Sequence, residues 1–512
     1  MTKYTSKIAV MALAAGIGFS SCTKKFDDIN TNPDKATSAS SEWLATNILT
    51  AVTSSDISFN NNFRQPYTLG KYIGWTEKVS DYQYNKMVRV DFGRLLVLRD
   101  VAPMIKNATS ADLQRTYDGF GHFIRAWQFF QTTMQVGDIP YSEAIQGATG
   151  VIQAKYDTQK EVFQGILKEL DQADSLLNGA VNFSGDFIYG GKVDKWRRLA
   201  NSFQLYVLIN LSKKTGDADL NVINKFKTVA ARPLMRDFND NFAVTYTASA
   251  GYAYPWSNTA AQLNSFLDYP VLSGYLLDPM KAAADKRLFY MAEPSPAQIS
   301  SGLSSSDYNA YLGIDPADEL GGIVKSKTNG KTCAVNKRYE QLYNAEPVGL
   351  LNYWDVQFIL AEATVRGWIA GTDAQTYYAN GIKSHMGFLV AHTPDSYTHG
   401  MAMDEAYINA FPATVPLTGT VENQINQIIT QKYIAGFFQN SDYNAWYENR
   451  RTGYPVFTLN TNTNLNTPAS AFPLRWMYPQ KELDYNAKNV SQALANQFNG
   501  DDNPSSAMWL LK

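Results

Sequence analysis

Apolar residues recur at three- and four-residue spacing along most of the chain. Leu95, Leu98, Val101 and Ile105 form one stripe, and Phe120, Phe123, Trp127, Phe130 and Met134 form a second that stops at Gly137. Val162, Ile166, Leu170, Ala173 and Leu177 make a third, and Trp196, Leu199, Phe203 and Val207 open a fourth. Val356, Ile359 and Ala363, then Ile425, Ile428 and Ile429, carry the pattern into the second half. This period belongs to amphipathic helices with one buried face, so the chain is predicted to be all-α. Consecutive stripes with short connections suggest helical hairpins, although their spacing is too irregular for a fixed-period repeat. Between Leu220 and Asn352 the stripes give way to glycine, proline and tyrosine, as in GYAYPWSN (251–258). Loop-rich insertions are therefore expected over 220–351, with a second long loop over 457–475. Such polar insertions in a helical body commonly build a binding surface.

The first residues have a different pattern. Lys3 and Lys7 precede an apolar run from Ile8 to Phe19, then Ser20, Ser21 and Cys22. Basic start, about a dozen apolar residues and a small-residue site describe a secretory signal peptide over 1–21. The run is shorter than the ~20 residues that a permanent membrane span needs. Cys22 directly after the small residues predicts a bacterial lipoprotein, with Cys22 as the acylated first residue of the mature chain. The alternative is a plain cleaved signal with an incidental cysteine. Residues 22–41, rich in Ser, Thr, Asn and Asp, read as a flexible tether, leaving 42–512 as a single helical domain.

Composition narrows the function classes. Formal net charge is −2 and no basic stripe stands out, which argues against a nucleic-acid partner. The two cysteines, Cys22 and Cys333, remove every cysteine-based metal or redox site. With Cys22 acylated, Cys333 has no disulfide partner, and stability must come from the core. Aromatic residues make up 13% of the chain, and the 31 tyrosines outnumber the 26 phenylalanines. A tyrosine offers a flat apolar face with a hydroxyl at its edge, which suits sugar rings, peptides and protein partners.

Five ordered blocks carry a family resemblance: GDIPYSEA (137–144), IYGGKVDKWRRLANSFQLYVLINLS (188–212), NYWDVQFILAEATVRGW (352–368), ENRRTGYPVF (448–457) and LRWMYPQKELDYNAKN (474–489). Together with CTKKFDDINTNP (22–33), this series resembles the SusD/RagB family of nutrient-binding outer-membrane lipoproteins of the Bacteroidetes. The branch it looks most like is the starch-binding-associated group. The resemblance implies a helical fold with hairpins of the tetratricopeptide type and a loop-rich ligand-facing half. It also implies a surface-exposed, lipid-anchored protein of the outer membrane that caps a SusC-like TonB-dependent transporter. Ligands would be glycans or, in some members, peptides, and catalysis would be left to other proteins, with no cofactor. In physical terms the same blocks read mostly as scaffold. Gly137 and Pro140 stop a helix and turn the chain. Lys195, Arg197 and Arg198 are expected to face solvent around an inward Trp196. Asp442, Trp446, Glu448, Arg450 and Arg451 are expected to form a buried or half-buried cluster of ion pairs and stacked rings.

No motif for catalysis stands against that reading. His122, His385, His392 and His399 show no metal-binding spacing, and His122 is expected to pack at a helix margin. Gly330-Lys331-Thr332 has Lys325 where a phosphate loop needs glycine. Asp237, Asn239 and Asn241 lack the turn glycine and closing glutamate of a calcium loop, having Phe242 and Ala248 there. A surface glycosidase on a helical frame and a helical-hairpin adaptor without ligand remain the alternatives. For a binder, exposed rings beside hydrogen-bonding groups are needed. Trp75, Tyr82 and Tyr84 in YIGWTEKVSDYQYN (72–85), and Tyr252, Tyr254 and Trp256 in GYAYPWSNTAAQ (251–262), are the candidate ligand-binding residues. Tyr308, Tyr311, Tyr339 and Tyr343 are weaker candidates.

Overall fold

The computed structural model describes residues 39–56, 64–77, 86–249, 252–257, 268–439 and 443–512. The signal peptide, Cys22 and most of the tether lie outside the described residues, as do Tyr82, Tyr84 and Asp442. Residues from Ser41 to Lys512 form one compact unit.

The long helices are α1 (Ser41–Asp56), α2 (Ala111–Val136), α3 (Gln159–Leu177), α4 (Val193–Asn210), α5 (Tyr353–Val365), α6 (Ala374–His392), α7 (Val421–Gly436), α8 (Asn444–Thr452) and α9 (Ala487–Phe498). The starts of α2, α3, α5, α6 and α7 carry the polar caps that orphan N–H groups require. The Ser110 hydroxyl accepts from Leu113, and Thr158 and Glu161 close a reciprocal capping box at α3. Asn352 and Asp355 form the same box at α5. The first stripe, Leu95 to Ile105, forms a 3-10 turn (Gly93–Asp100) running into a short helix (Val101–Lys106).

Three antiparallel pairings organise the body. Phe130 meets the Phe163 ring and His122 meets Glu169 across α2 and α3. Arg197 binds Asp174, and Gln204 donates to the Leu167 carbonyl, across α3 and α4. Trp354 packs on Phe388 across α5 and α6, where a Cβ on Gly381 would lie 2.7 Å from the Phe358 ring. Any larger residue would push this hairpin apart. The second and fourth stripes meet in one aromatic core. Phe120 packs edge-on against Trp196 at 4.9 Å, and Trp127 lies 4.7 Å from Phe203.

Two of the recognisable blocks close connections between helices. Gly137, at φ +100°, ends α2 in a conformation that L side chains avoid. Asp138 then accepts from the Gln159 N–H at 2.7 Å, and the Asp157 carboxylate accepts from the N–H groups of Tyr141 and Ser142. The Asp186 carboxylate accepts from the N–H groups of Tyr189 and Gly191 and from the Trp196 indole, locking the turn into α4. Lys195, Arg197 and Arg198 are half-buried rather than facing solvent. Arg197 pairs with Asp174, and Lys195 and Arg198 pair with Asp240. His122 is bound to Glu169, which Arg125 also holds at 2.9 Å, so it is a polar seam residue more than a packing one.

The insertion over 220–351 contains short helices, Val222–Ala230, Gly274–Ala282 and Leu320–Thr328 among them, and most of the strand residues. β1 (Ile73–Trp75) pairs antiparallel with β3 (Pro270–Leu272), β2 (Phe242–Val244) with β6 (Val348–Leu351), and β4 (Ala292–Glu293) with β5 (Ala334–Val335). Residues 457–475 carry no helix or strand. Cys333 is buried beneath this half, its sulfur accepting from the Leu312 N–H, and burial pushes its thiol up to about 12. Among the described residues no helix is long and apolar enough to cross a membrane.

A buried ionic network ties α5, α7 and α8 together. Arg451 on α8 binds both oxygens of Glu362 on α5, at 2.5 and 2.7 Å, and reaches Glu448. Lys432 on α7 pairs with Glu448 at 2.5 Å, and the Ser212 hydroxyl just beyond α4 touches Arg451. Burial alone would raise the Glu448 carboxyl, but Arg451 and Lys432 outweigh it and hold it at about 2. Arg450 turns elsewhere, stacking over Trp446 and Tyr447 and donating to the carbonyls of Leu474 and Met134. The expected cluster is thus a carboxylate network around Arg451 and a stacking post around Arg450.

Removing one partner should expose the cost of this network. Arg451→Met leaves Glu362 and Glu448 buried with fewer counter-charges, and urea denaturation should show a loss of about 3–5 kcal/mol. Asp138 behaves oppositely, since burial raises its carboxyl to about 6 from 3.8. The native state therefore holds this proton more tightly than the unfolded chain does. Its contribution falls as pH rises from about 4 to about 6. Asp138→Asn keeps an acceptor for Gln159 and should gain roughly 1–3 kcal/mol over the parent at pH 7 but not at pH 4, read from paired melts.

Candidate aromatic groove

Tyr72, just before β1, stacks on Tyr433 of α7 with ring centroids 4.2 Å apart and planes 11° from parallel. Each hydroxyl donates to a carbonyl beside the other ring: Tyr72 to Tyr433 at 2.7 Å, and Tyr433 to Gly70 at 2.8 Å. β1 and β3 are next in register, Ile73 opposite Leu272 and Trp75 opposite Pro270. β3 runs into Ser273, whose hydroxyl caps the helix Gly274–Ala282 by accepting from Tyr275 N–H at 2.9 Å. The Tyr275 hydroxyl in turn pairs with the Thr458 side chain and accepts from its N–H, and the Tyr275 ring meets Phe457 edge-on. The long C-terminal loop is thereby pinned beside α7.

The helix Gly274–Ala282, residues 313–315, α7 and residues 455–456 enclose an open groove of about 670 Å³. Tyr275, Tyr433, Pro279, Ile314, Pro455 and Val456 give it apolar walls, and Asp278, Asp315, Asn426 and Thr430 bring carboxylate, amide and hydroxyl groups to it. Val456 is 72% exposed, an apolar side chain left open to solvent at the groove's edge. A concave, largely apolar site with a few polar groups is the usual form of a small-molecule site.

Behind the groove an aromatic series runs inward. Tyr72 contacts Tyr67, Tyr67 contacts Phe438, and Phe438 contacts Trp256, which packs on Tyr254. Phe438, held at φ +60°, also stacks on Tyr339 at 3.9 Å. Beneath lies the buried pair Arg338–Glu346, with Arg338 donating to the carbonyls of Ala345 and Tyr290. Gln439 donates to Glu346 and accepts from Gly349.

This series corrects part of the sequence-based site. Trp75, Tyr254 and Trp256 are 6%, 0% and 2% exposed, so they present no face to a ligand and form the floor of the loop-rich half. Their rings are taken by other rings: Trp75 meets Tyr269, while Tyr254 and Trp256 meet each other. Tyr252 is 69% exposed on a tight loop, its N–H bonded to the Ser249 carbonyl and its carbonyl accepting from Thr247. Of the weaker candidates, Tyr311 and Tyr339 are buried, Tyr308 is half-buried on Phe289, and Tyr343 is exposed. Tyr343 lies beside the same loop, since its carbonyl accepts from Tyr254 N–H. The structure thus keeps Tyr252 and Tyr343 at the surface. The groove residues were missed because Tyr433 sits in a helix whose period reads as core. Tyr275 follows a Ser-Gly cap signal that reads only as a helix start.

The comparisons with known proteins agree with this architecture. A family described as starch-binding associating with outer membrane, of the SusD-like type, matches residues 33–479. The chain belongs to the SusD-like family. A SusD homolog from Bacteroides fragilis NCTC 9343 is 40% identical, with 93% of this chain and 100% of that one covered and a TM-score of 0.88. A second SusD homolog from the same strain is 33% identical over 93% of this chain and 99% of that one, with a TM-score of 0.80. A chitin-binding SusD homolog from Flavobacterium johnsoniae shares the fold at 20% identity, covering 91% and 98%, with a TM-score of 0.69. No curated protein sequence matches the chain at a significant level. Among the described residues of this SusD-like chain, no group of three or more His, Cys, Asp or Glu side chains could hold a metal ion.

Proposed function

We propose that this SusD-like protein is a cell-surface lipoprotein that binds a glycan without cleaving it. It caps a SusC-like TonB-dependent barrel in the outer membrane and releases the glycan there for import. The observation that carries the reading is the groove. Tyr275, Pro455 and Val456 give it apolar walls against which a sugar face can lie, and Asp278, Asn426 and Thr430 offer partners for hydroxyls. Tyr252 supplies a further exposed ring on the loop-rich half. Peptide ligands use the same chemistry less well, because no strand edge among the groove-lining elements offers a peptide backbone a ladder of partners. Cys22 is the proposed acylation site, and the residues between it and Ser41 are the tether.

Calorimetry of the mature chain against maltose-, chitin- and mannan-derived oligosaccharides tests the groove. At least one series should bind, and Asp278→Ala/Asn426→Ala should weaken it about tenfold or more, as expected for two lost hydrogen bonds, one of them charge-assisted. Unchanged affinity across the panel in that variant would remove the groove as the binding site. Chromatography of the same mixtures should show intact oligosaccharide, and released product would replace binding by hydrolysis. In cells, Cys22→Ser should abolish palmitate incorporation and leave the protein outside the membrane fraction.

A further inference from the structure

A second hollow lies on the 220–351 insertion and shares no lining residue with the groove. It measures about 580 Å³ and is bounded by the end of β4, the helix Pro296–Ser300, the helix Arg338–Gln341 and the turn at 395–400. Each wall is fixed from behind. Pairing of β4 with β5 sets Glu293 opposite Ala334. The Ser295 hydroxyl and the Ala297 N–H both donate to the Gly330 carbonyl, anchoring the short helix. Buried Asn336 donates to the carbonyls of Phe289 and Tyr397, at 3.1 and 2.9 Å, which ties the 395–400 turn to the core.

The lining is polar on one side and apolar on the other. The Glu293 carboxylate accepts from the Lys337 N–H at 2.9 Å, with the Lys337 ammonium at 3.8 Å and the His399 ring nitrogen at 3.5 Å. These partners overcome burial and hold the Glu293 carboxyl below its ordinary value. Gln341 accepts from the Tyr397 hydroxyl at 3.0 Å through its side-chain oxygen, leaving its NH₂ group as the donor. Opposite stand Ile299 and Leu303, with Ile299 39% exposed. His399 occupies the left-handed region at φ +52°, which costs a non-glycine residue free energy and places its ring against Glu293.

Donors, acceptors and an apolar wall in a hollow whose lining pairs one carboxylate with one ammonium suit an uncharged, hydroxyl-rich ring. A strongly anionic ligand would meet Glu293, and a cationic one would meet Lys337. Glu293 is the single carboxylate among the lining residues, so the pair of acids that glycoside cleavage needs is missing from the lining. We propose that this hollow is a second carbohydrate site, which seats one neutral pyranose ring between the Ile299–Leu303 wall and the polar groups of Glu293, Lys337 and Gln341. Two separated sites on one chain would let it hold a long glycan at two points, raising avidity with no new contact at either site.

Methyl resonances of Ile299 and Leu303 in the full mature chain report the hollow directly. Methyl glycosides of glucose, mannose, galactose and N-acetylglucosamine would be titrated to about 50 mM, which covers millimolar affinities. At least one should shift these methyls saturably, and the shift should persist in Asp278→Ala/Asn426→Ala, where the groove is disabled. Lys337→Ala/Gln341→Ala, which trims two exposed side chains, should weaken that binding about tenfold with an unchanged melting temperature. Methyls that respond to none of the four glycosides would overturn the proposal. So would a response that vanishes with the groove variant, or one that the Lys337→Ala/Gln341→Ala variant leaves intact. A groove that fails its own calorimetric test leaves this measurement unaffected, because the two sets of residues do not overlap.

Discussion

The buried network around Arg451 is the constraint on which the rest of the structure depends. Two glutamates, a lysine and an arginine have been taken out of water, and only close pairing on α5, α7 and α8 makes that tolerable. Such a network has little freedom to slide, because any shift of one helix leaves a charge without its partner in a medium of low dielectric. Lys432 precedes Tyr433 in the chain, so the residue that fixes α7 inside the body adjoins the one that lines the groove. The position of α7 beside the groove is therefore set in part by the ion pair of the adjacent residue.

The loop-rich half is held by a different device. Its strands are two to four residues long and pair only two at a time, too little to hold a surface by themselves. Rings supply the rigidity. Tyr67, Tyr72, Tyr254, Trp256, Tyr339, Phe437 and Phe438 pack in tilted, edge-on or stacked contacts from one short segment to the next. The Arg338–Glu346 pair lies beneath them, and each of its members makes further hydrogen bonds that offset its desolvation. Loops that in a smaller protein would need disulfides are here fastened by aromatic contact and a satisfied ion pair.

The helical half was legible from the chain alone, because a period of 3.6 residues is imposed by a buried face and repeats often enough to be seen. Phe120, Phe123, Trp127, Trp196 and Phe203 all lie where their spacing put them. The ionic cluster was half legible. Glu448 and Arg451 are neighbours on one helix, but Glu362 stands 89 residues away from Arg451 and no local pattern links them. The aromatic loops were misread for a physical reason: a core assembled from irregular segments leaves no period, so Trp75, Tyr254 and Trp256 look like exposed rings until their neighbours are known. The groove stayed hidden because it is made by four segments that converge only in the fold.

The sulfur of Cys333 sits at the base of this half, sealed from solvent and holding its proton far above neutrality. Only the thiolate attacks a disulfide or is readily oxidised. A thiol kept in that state is chemically silent, and Cys333 is the one cysteine among the described residues. In an oxidising compartment the folded body can therefore neither cross-link to a neighbour nor be stapled to itself. Only an opening of the insertion would let that sulfur meet water.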